Sequence, residues 1–510
     1  MTLNEPENGS NDKAGMLVFM AALGLPLLCG LVFFWPDRSI ANVDDLFFVP
    51  WAMEFAESGR HWNSLLAVQF PGLENYHLQP RLHLIFAGLF FSVVGTDTTA
   101  LLAFEFLCFA LTNLVFVIVC LRLDLRLAAM FTPLLFAPLY VVTGFRLELT
   151  GALFFVSGLC VSLPLLCAAA SRAGDNAGPG VVVSIFSKFL FGIAPLAAPS
   201  LFAWSLGAIA VTEIWRLATR QANLLRIVCE GFSALLLALA VFALSIDFEF
   251  AEFLEQFTFH ASRSTGGGFN DEAILRAVLF AGASTLVFRH NRAAAAICAA
   301  LAAGQFLAAF LHDKALIRNL AASMVFLIAL DAVVGSRWLK AKATLFAILF
   351  LALSANFFSF YILSDRVENS EAVTAAYEKD LSDGKRVFVD ETMAQHYLNQ
   401  NTRGALAWTW GGTFPKGRPT SLLDLKKGDA WYVSEYTISG YLKGRHDVAE
   451  KVWPDPDYRR VLQFSCVLGR QSCNLPVERW RILRLERLED GVSVKVFGDE
   501  TTSRILPSPQ

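Results

Sequence analysis

Runs of apolar residues long enough to cross a bilayer recur along the first two thirds of this 510-residue chain, and they constrain its fold most. A spanning helix needs roughly 20 mostly apolar residues, because the hydrocarbon core is about 30 Å thick. With 55% hydrophobic and only 17% charged residues, the chain is too apolar for a water-soluble protein of this size. This excludes a soluble enzyme, a disordered chain and a disulfide scaffold. A net charge of -3 gives no indication of nucleic-acid binding.

The apolar runs predict eleven membrane-spanning helices. They cover residues 15–35, 98–121, 127–145, 149–170, 181–196, 200–215, 227–246, 273–288, 293–311, 320–335 and 343–362. The stretch 82–95 is apolar but only 14 residues long, which suits an interfacial or re-entrant helix better than a crossing. A cleavable signal peptide is the alternative for 15–35, but only Lys13 precedes it among several acids, which is not a basic leader.

Basic residues in the connections predict the orientation. They fall in alternate connections, at Arg122, Arg126, Arg172, Arg216, Arg220, Arg226, Arg289, Arg292, Arg337, Lys340 and Lys342. Because cytoplasmic loops are enriched in lysine and arginine, the tail 1–14 should be cytoplasmic and the loops 36–97 and 247–272 should face outward. The chain is thus expected in a bacterial inner membrane, with a transmembrane module at 15–363 and a periplasmic domain at 364–510.

The C-terminal region differs in composition from the rest. Residues 365–510 carry 42 of the 87 charged residues. Strand-like runs at 386–390, 430–434 and 480–484 alternate with helical stretches at 370–381 and 391–399, which predicts a small α/β or α+β module. The predicted fold class is an all-α polytopic membrane protein, with about eleven transmembrane helices, interfacial helices and a C-terminal periplasmic α/β domain.

Cys466 and Cys473 lie in this C-terminal region. An oxidising periplasm would favour a disulfide between them, and two free thiols are the alternative. The other seven cysteines fall in apolar spans, where they are expected to be inert packing residues.

Two adjacent carboxylates, Asp44 and Asp45, follow the first span directly. A carboxylate held beside a low-dielectric surface can act as a general base or as a metal ligand. The alternative is that Asp44 only caps the following amphipathic helix.

Further candidates combine cations with one more acid on the same predicted face. They are His77, Arg81 and His83 before the short helix, Arg146 and Glu148 at the end of span three, His260 and Arg263 in the late loop, and Lys314 and Arg318 as a weaker cluster. Arginine and histidine can hold a phosphate by charge-assisted hydrogen bonds. The alternatives are a snorkelling arginine at 81, a simple Arg146–Glu148 surface pair and a solvated helix at 257–269. Acids and cations together beside lipid suit a substrate with a phosphate in the headgroup plane, such as a polyprenyl-phosphate sugar.

These residues resemble the C-type membrane glycosyltransferases, which include bacterial aminoarabinose transferases and protein O-mannosyltransferases. Asp44-Asp45, Phe48, Ala52 and Glu57-Ser58-Gly59 match that family's first loop without a gap, and the resemblance covers about 15–320. Further matches are Gln79-Pro80-Arg81-Leu82 for a Lys-Pro-Pro-Leu-like segment, Glu148 for a second acid, and 255–268 for a Phe-x-x-x-x-His-x-x-Arg loop.

The resemblance implies an inverting transfer of a sugar from a polyprenyl-phosphate donor to an envelope glycolipid or polysaccharide. Lipopolysaccharide core or lipid A is one specific acceptor, and a uronic acid is one specific sugar. Asp44 would be the general base, and Glu148 would assist it or help to hold a metal ion. Arg81, His260, Arg263 and Arg318 would stabilise the leaving phosphate. Gln79 replaces the family's lysine, so no cofactor is predicted with certainty, a divalent metal stays open and its ligands are unknown.

Two other functions are alternatives. A secondary transporter would show paired half-repeats and ionisable groups at mid-membrane. Lys188 and Asp331 fall inside predicted spans, whereas the candidate acids Asp44 and Glu148 are expected in outer loops. Lys188 would need a partner or a water-filled cavity there. A non-catalytic envelope scaffold would not explain acids in matching outer loops.

Overall fold

The computed structural model describes the helical core and parts of the C-terminal region. The described residues are 24–31, 33–34, 45–60, 79–168, 180–264, 271–311, 314–334, 370–389, 426–434, 464–465, 472–473, 482–488, 491–496 and 502–505. Residues 24–31, within the first predicted span, are helical. The last predicted span, 343–362, and the predicted helix 391–399 lie outside the described residues.

Helices occupy the described parts of the predicted spans. They are α1 (Asp45–Ser58), α2 (Leu82–Val94), α3 (Thr98–Arg122), α4 (Arg126–Thr143), α5 (Glu148–Cys167), α6 (Val181–Ala197), α7 (Phe202–Ala218, preceded by a short 3₁₀ turn, Pro199–Leu201), α8 (Leu224–Ser245), α9 (Phe250–Ser264), α10 (Asp271–Phe288), α11 (Arg292–Ala308), α12 (Ala315–Val334) and α13 (Ser370–Ser382). The predicted polytopic all-α fold is confirmed.

Length and apolar composition identify the helices that are able to cross a bilayer. Among the described residues, α3, α5, α8 and the segment Pro199–Ala218 satisfy both criteria, and α2, α6, α11 and the first part of α4 are shorter apolar helices. α8 lies at the periphery of the bundle, since the rest of the protein buries only 17% of the apolar stretch of this helix. Its leucine and phenylalanine side chains face outward, as expected of a helix covered by lipid.

Short connections make successive helices antiparallel, and small residues allow close packing. α5 packs on α3 and α6, α7 packs on α11, and α4 packs on α3 and α12. Gly207 and Gly304 meet where α7 crosses α11, and a methyl group on Gly207 would lie 2.4 Å from the Gly304 nitrogen. Small residues at such crossings let transmembrane helices approach closely, because lipid supplies no hydrophobic force between them.

α1 and α2 form a closely packed pair whose buried side chains belong to the same hydrophobic core as the bundle. The short helix predicted at 82–95 is α2, and it packs on α1 through Gly88, where a methyl group would lie 2.5 Å from Phe55 Cδ1. Trp51 and Phe55 stack on α1 with ring centroids 5.8 Å apart. α2 is too short to cross a bilayer of ordinary thickness, so it fits the predicted interfacial position.

Polar side chains join the helices at the end of the bundle that holds the α3–α4 and α7–α8 turns, which we call the far end. Asp331 of α12 accepts a hydrogen bond from the Ala128 nitrogen in the first turn of α4, at 3.1 Å. Asn291 caps α11 and also donates to the Leu123 carbonyl after α3, at 2.9 Å. Both contacts satisfy helix-end groups that have no partner within their own helix.

Lys188 has the partners that its position requires. Its Nζ lies 3.1 Å from Glu213 Oε1 on α7 and 3.1 Å from Glu230 Oε2 on α8. Arg216 of α7 joins the same group, with its Nη1 2.9 Å from Glu213 and 2.7 Å from Glu230. We call these four residues, with the buried hydroxyl of Ser184, the inner ion cluster.

The C-terminal region combines a helix with a mixed sheet. The strands are β1 (Val387–Val389), β2 (Ala430–Ser434), β3 (Phe464–Ser465), β4 (Ser472–Cys473), β5 (Ile482–Leu488), β6 (Gly491–Val496) and β7 (Thr502–Ile505). The main sheet has the order β1-β2-β5-β6-β7, with β1 parallel to β2 and the other pairs antiparallel, and β3 pairs with β4. The predicted strand-like runs 386–390, 430–434 and 480–484 thus each contain residues of an observed strand, and a helix covers the predicted stretch 370–381.

A buried ion network holds α13 onto this sheet. Asp380 accepts from Arg484 Nε at 2.6 Å and from the Tyr432 hydroxyl at 2.8 Å, and Lys385 lies 3.2 Å from it. Burial raises the pKa of Asp380, but hydrogen bonds from Arg484, Tyr432 and Lys385 outweigh it, so that pKa lies below its ordinary value. The carboxylate is therefore a structural anion that links helix and sheet.

Candidate active site

Most of the described candidate residues lie at the end of the bundle opposite the far end, which we call the site end. It is formed by the starts of α2, α5 and α12 and by the turn between α8 and α9. Two contacts between distant segments connect these elements. His83 Nδ1 lies 2.9 Å from Thr150 Oγ1, and Arg81 Nη1 lies 3.4 Å from Asp247 Oδ2.

Glu148 is the first residue of α5, and its side chain is only 8% exposed. Gly144, after the end of α4, has a φ of +67°, which glycine adopts without strain, so the chain turns sharply into α5. The turn places Arg146 Nε 3.5 Å from Glu148 Oε2. The two residues thus form an ion pair, and its acid is buried rather than solvated.

Lys314, just before α12, lies beside this pair. Burial lowers the pKa of Lys314, the positive charge of Arg146 lowers it further, and Glu148 only partly opposes them. Arg318 follows one helical turn later, and its backbone nitrogen donates to the Lys314 carbonyl at 3.0 Å. Arg146, Glu148 and Lys314 are therefore together at the site end, and Arg318 lies one helical turn beyond Lys314.

His83 is fully buried beneath this group. Its ring packs on Phe145 and Phe104, with centroid distances of 4.8 Å and 5.7 Å, and its Nδ1 contacts Thr150, two residues after Glu148. Nε2 has no hydrogen-bond partner among the described residues. His83 therefore holds the first turn of α5 through its contact with Thr150.

Arg81 is also fully buried, at the N-terminal end of α2. Its guanidinium lies 5.6 Å from the centroid of the Trp51 ring and pairs with Asp247. Burial lowers the pKa of Arg81 to about 10, although Asp247 and Glu249 attract its charge. Arg81 is thus enclosed between α1 and the α8–α9 turn.

The remaining candidates are only partly described. Asp44, His77 and Cys466 lie outside the described residues. The backbone, but not the side chain, is described for Asp45 at the start of α1, for His260 and Arg263 on α9, and for Cys473 in β4. His260 and Arg263 lie on one helix as predicted, three residues apart and hence on the same face. The Cys466–Cys473 disulfide stays a prediction.

Sequence reasoning missed several residues that the fold brings to the site end, including Thr150, Asp247 and Glu249. Their signal is weak, since each is a single polar residue next to a helix end. Glu105, fully buried within the apolar helix α3, had a clearer signal, because an acid inside a span is costly and usually functional. Within the described ranges, no three His, Cys, Asp or Glu side chains cluster in a way that could hold a metal ion.

No family model matches this chain, and no curated protein matches it. Among solved structures, the chain is similar to the crystal structure of ArnT from Cupriavidus metallidurans bound to undecaprenyl phosphate. The sequence identity is 14%, the TM-score is 0.55, and the match covers 84% of this chain and 94% of that one. At this identity the likeness shows the fold alone. The chain is a multi-pass membrane protein with the fold of ArnT.

Proposed function

We propose that this protein is an inverting glycosyltransferase that takes a sugar from a polyprenyl-phosphate donor. The observation that carries the proposal is the buried acid Glu148 with Arg146 and Lys314 at one end of an ArnT-like bundle. ArnT was crystallised with undecaprenyl phosphate. In this chain, burial lowers the pKa of Lys314 and the charge of Arg146 lowers it further, so two cations act on each other beside one acid.

The reaction requires a base, positive charge and accurate placement. The acceptor oxygen attacks the anomeric carbon of the sugar, and its proton passes to a carboxylate, for which Asp44 is the candidate. The bond between the anomeric carbon and the phosphate oxygen breaks, and its electron pair leaves with the phosphate. Arg146, Lys314 and Arg318 would stabilise that anion, and fixed charges are effective because they need no reorganisation during the reaction.

Glu148 would assist by orienting these cations and the acceptor hydroxyl. His260 and Arg263 would approach the donor from α9. The proton transfer contributes about 10²- to 10⁴-fold where a positioned base performs it. Placement of both substrates contributes more, since bound geometry replaces a collision in solution.

The orientation of the site end is proposed from the distribution of basic residues among the loops. The site end would face the periplasm of a bacterial inner membrane, with the C-terminal domain on the same side. The acceptor would be an envelope glycolipid or polysaccharide, with lipopolysaccharide core or lipid A as the specific candidate. A donor carried by a lipid fits a site that lies beside the short interfacial helix α2.

A comparison of lipid and polysaccharide extracts tests the proposal. Mass spectrometry of a deletion strain should show the loss of one hexose, pentose or uronic acid from a glycolipid or polysaccharide, restored by the wild-type gene. The Asp44→Asn protein should be made at normal levels and fail to restore the sugar. An unchanged glycan profile in the deletion strain would refute the proposal, and the same transfer assay with and without EDTA measures metal dependence.

The inner ion cluster is the one observation that favours a secondary transporter as the second candidate. Lys188, Glu213, Arg216 and Glu230 are ionisable residues buried among helices. Every member is paired with another member, as structural ion pairs are. A transporter would lose uptake in a Glu230→Gln variant, whereas a transferase would keep its activity per folded molecule.

A further inference from the structure

Arg81 stands where the C-type glycosyltransferase pattern has its second proline, and its side chain connects three distant segments. The fully buried guanidinium lies over Trp51 of α1 and pairs with Asp247 of the α8–α9 turn. Arg81 itself precedes α2. A planar guanidinium can stack on an aromatic face and pair with a carboxylate at once, which a lysine cannot reproduce.

The surroundings of Arg81 differ in charge from those of Lys314. Two acids, Asp247 and Glu249, act on Arg81, whereas one cation, Arg146, and one acid, Glu148, act on Lys314. An incoming phosphate would be repelled by the two acids beside Arg81. It would be attracted where Lys314 and Arg146 face each other.

The turn that holds Asp247 has an unusual backbone. Asp247 has a φ of +53° and Phe248 a φ of +62°, and two successive non-glycine residues in this left-handed region are rare. Such strain persists only where surrounding contacts hold it. The Phe248 nitrogen donates to the Ala243 carbonyl at 2.9 Å, and the Asp247 side chain adds the ion pair with Arg81.

The turn also determines where α9 begins. α9 starts at Phe250, and both Phe250 and Phe253 pack on Phe242 of α8, with ring centroids 6.1 Å and 5.0 Å apart. These contacts join α9 to α8 but not to the α1–α2 pair. The Arg81–Asp247 ion pair is one connection between the α8–α9 turn and the residue that precedes α2.

We propose that Arg81 and Asp247 are a positioning pair: they hold the α8–α9 turn against α1 and thereby place His260 and Arg263, and Arg81 does not bind the donor phosphate. The part of this inference that concerns catalysis rests on the proposed function. The mechanical part concerns only how the turn is held.

Hydrogen exchange of the full-length protein in lipid nanodiscs tests the mechanical part without any substrate. In Asp247→Asn, the amides of residues 246–254 should exchange about 10-fold faster, because the ion pair no longer holds the turn. Asp247→Glu keeps the carboxylate and should recover most of the protection. The exposed acid Asp271, in the first turn of α10, supplies the control Asp271→Asn, which should leave this segment unchanged.

Transfer kinetics test the catalytic part. Both Asp247→Asn and Arg81→Gln should lower kcat by about 10-fold or more with the donor KM within about 3-fold of the wild type. The double variant should be no worse than Arg81→Gln alone, because the two side chains act as one unit. Asp247 is 48% exposed, so its variant is expected to fold even if Arg81→Gln does not.

Two results would overturn the inference. One is unchanged exchange in 246–254 for Asp247→Asn, and the other is an Arg81→Gln enzyme whose donor KM rises about 10-fold at unchanged kcat, as a phosphate ligand would give. If the wild-type protein transfers no sugar from any polyprenyl-phosphate donor, the proposed function fails. In that case, hydrogen exchange alone tests whether Arg81 and Asp247 hold the α8–α9 turn.

Discussion

The two ends of the helix bundle both concentrate charge, but they satisfy it to different degrees. In the inner ion cluster, Glu230 Oε2 accepts from Ser184 at 2.6 Å, from Arg216 at 2.7 Å and from Lys188 at 3.1 Å. Arg226, at the surface, adds a bond to the other oxygen at 2.8 Å. A buried group with this many short contacts is satisfied from within the protein, as structural ion pairs must be.

The site end contains a longer ion pair. The contact between Arg146 and Glu148 is 3.5 Å, longer than any contact of Glu230 in the inner ion cluster. Lys314 stands beside both residues with its pKa lowered, first by burial and then by Arg146, because Glu148 alone does not compensate. A bound anion would stabilise the protonated form of Lys314, because its negative charge would offset the effect of burial and of Arg146. The comparison therefore supports a structural role for the inner ion cluster and agrees with the proposed substrate-binding role of the site end.

Removing one cation from the inner ion cluster should have the largest effect on stability. In Arg216→Gln, Glu213 and Glu230 lose a buried partner, and breaking a buried pair costs about 3–5 kcal/mol. Thermal unfolding in detergent measures the loss, and transfer activity per folded molecule should stay within about 3-fold.

The matched control for Arg216 is Arg220, which is exposed at the α7–α8 turn. Arg220→Gln should change the unfolding free energy by no more than about 0.5 kcal/mol. Equal melting temperatures for the two variants would mean that the inner ion cluster does not hold the bundle together.

Glu148→Gln should show the opposite behaviour at the site end. Transfer should fall about 100-fold, since the variant keeps the volume of the side chain but loses the charge that orients Arg146 and Lys314. The 3.5 Å pair is partly exposed on its Arg146 side, so the stability loss should stay below about 1 kcal/mol.

Single-turnover assays with the wild type, Glu148→Gln and Asp271→Asn separate these effects. The exposed Asp271 lies at the same end of the bundle and should be neutral for both transfer and stability. A Glu148→Gln protein that melts much earlier yet transfers normally when folded would reverse the assignment of the two clusters.

Hydropathy predicted the helices of the bundle because each span must be apolar over its own length. The same pattern cannot identify which helices touch. Lys188 was recognised as a charge in need of a partner, yet Glu213 and Glu230 belong to two other helices, and nothing in their spacing points to Lys188. The pairing of charges follows from the packing of α6, α7 and α8, which is a tertiary property.

The sequence identified candidate-site residues where a charged side chain is unusual for a membrane protein. Glu148 and Lys314 were identified as polar residues at span ends, and the fold brings them together. Arg81 was identified too, but its partner Asp247 was not, because a single acid at a helix end resembles an ordinary capping residue. Charges show which residues are candidates, and only the fold shows whether each is already paired.

Close helix packing beside Glu148 allows a milder perturbation of the site end. Gly151 lies one turn into α5, and a methyl group there would be 2.7 Å from Ala198 Cβ and 2.6 Å from Leu201 Cδ1. Gly151→Ala should therefore shift α5 against the end of α6 and the α6–α7 connection, cost about 1–3 kcal/mol and lower transfer about 10-fold. Gly231 on α8 has open space around it, so Gly231→Ala is the matched control and should be neutral or slightly stabilising. If both variants melt and transfer alike, the site does not depend on the fit between α5 and α6.

The smallest expected effect is a pH dependence of donor binding. Lys314 attracts a phosphate only while protonated, and its lowered pKa means that it loses this charge at lower pH than an ordinary lysine. Bound phosphate favours the protonated form, so affinity is fully present at low pH and is lost as pH rises through the pKa of the free enzyme. Titration of the nanodisc-embedded protein with undecaprenyl phosphate between about pH 7 and pH 10 should show a fall of about 3- to 10-fold. Lys314→Gln should bind weakly and without this slope, whereas Lys314→Arg should keep the affinity at high pH, because arginine stays charged. A wild-type affinity that is flat over this range would show that the phosphate binds away from Lys314. It would then remove the proposed functional contrast between the site end and the inner ion cluster.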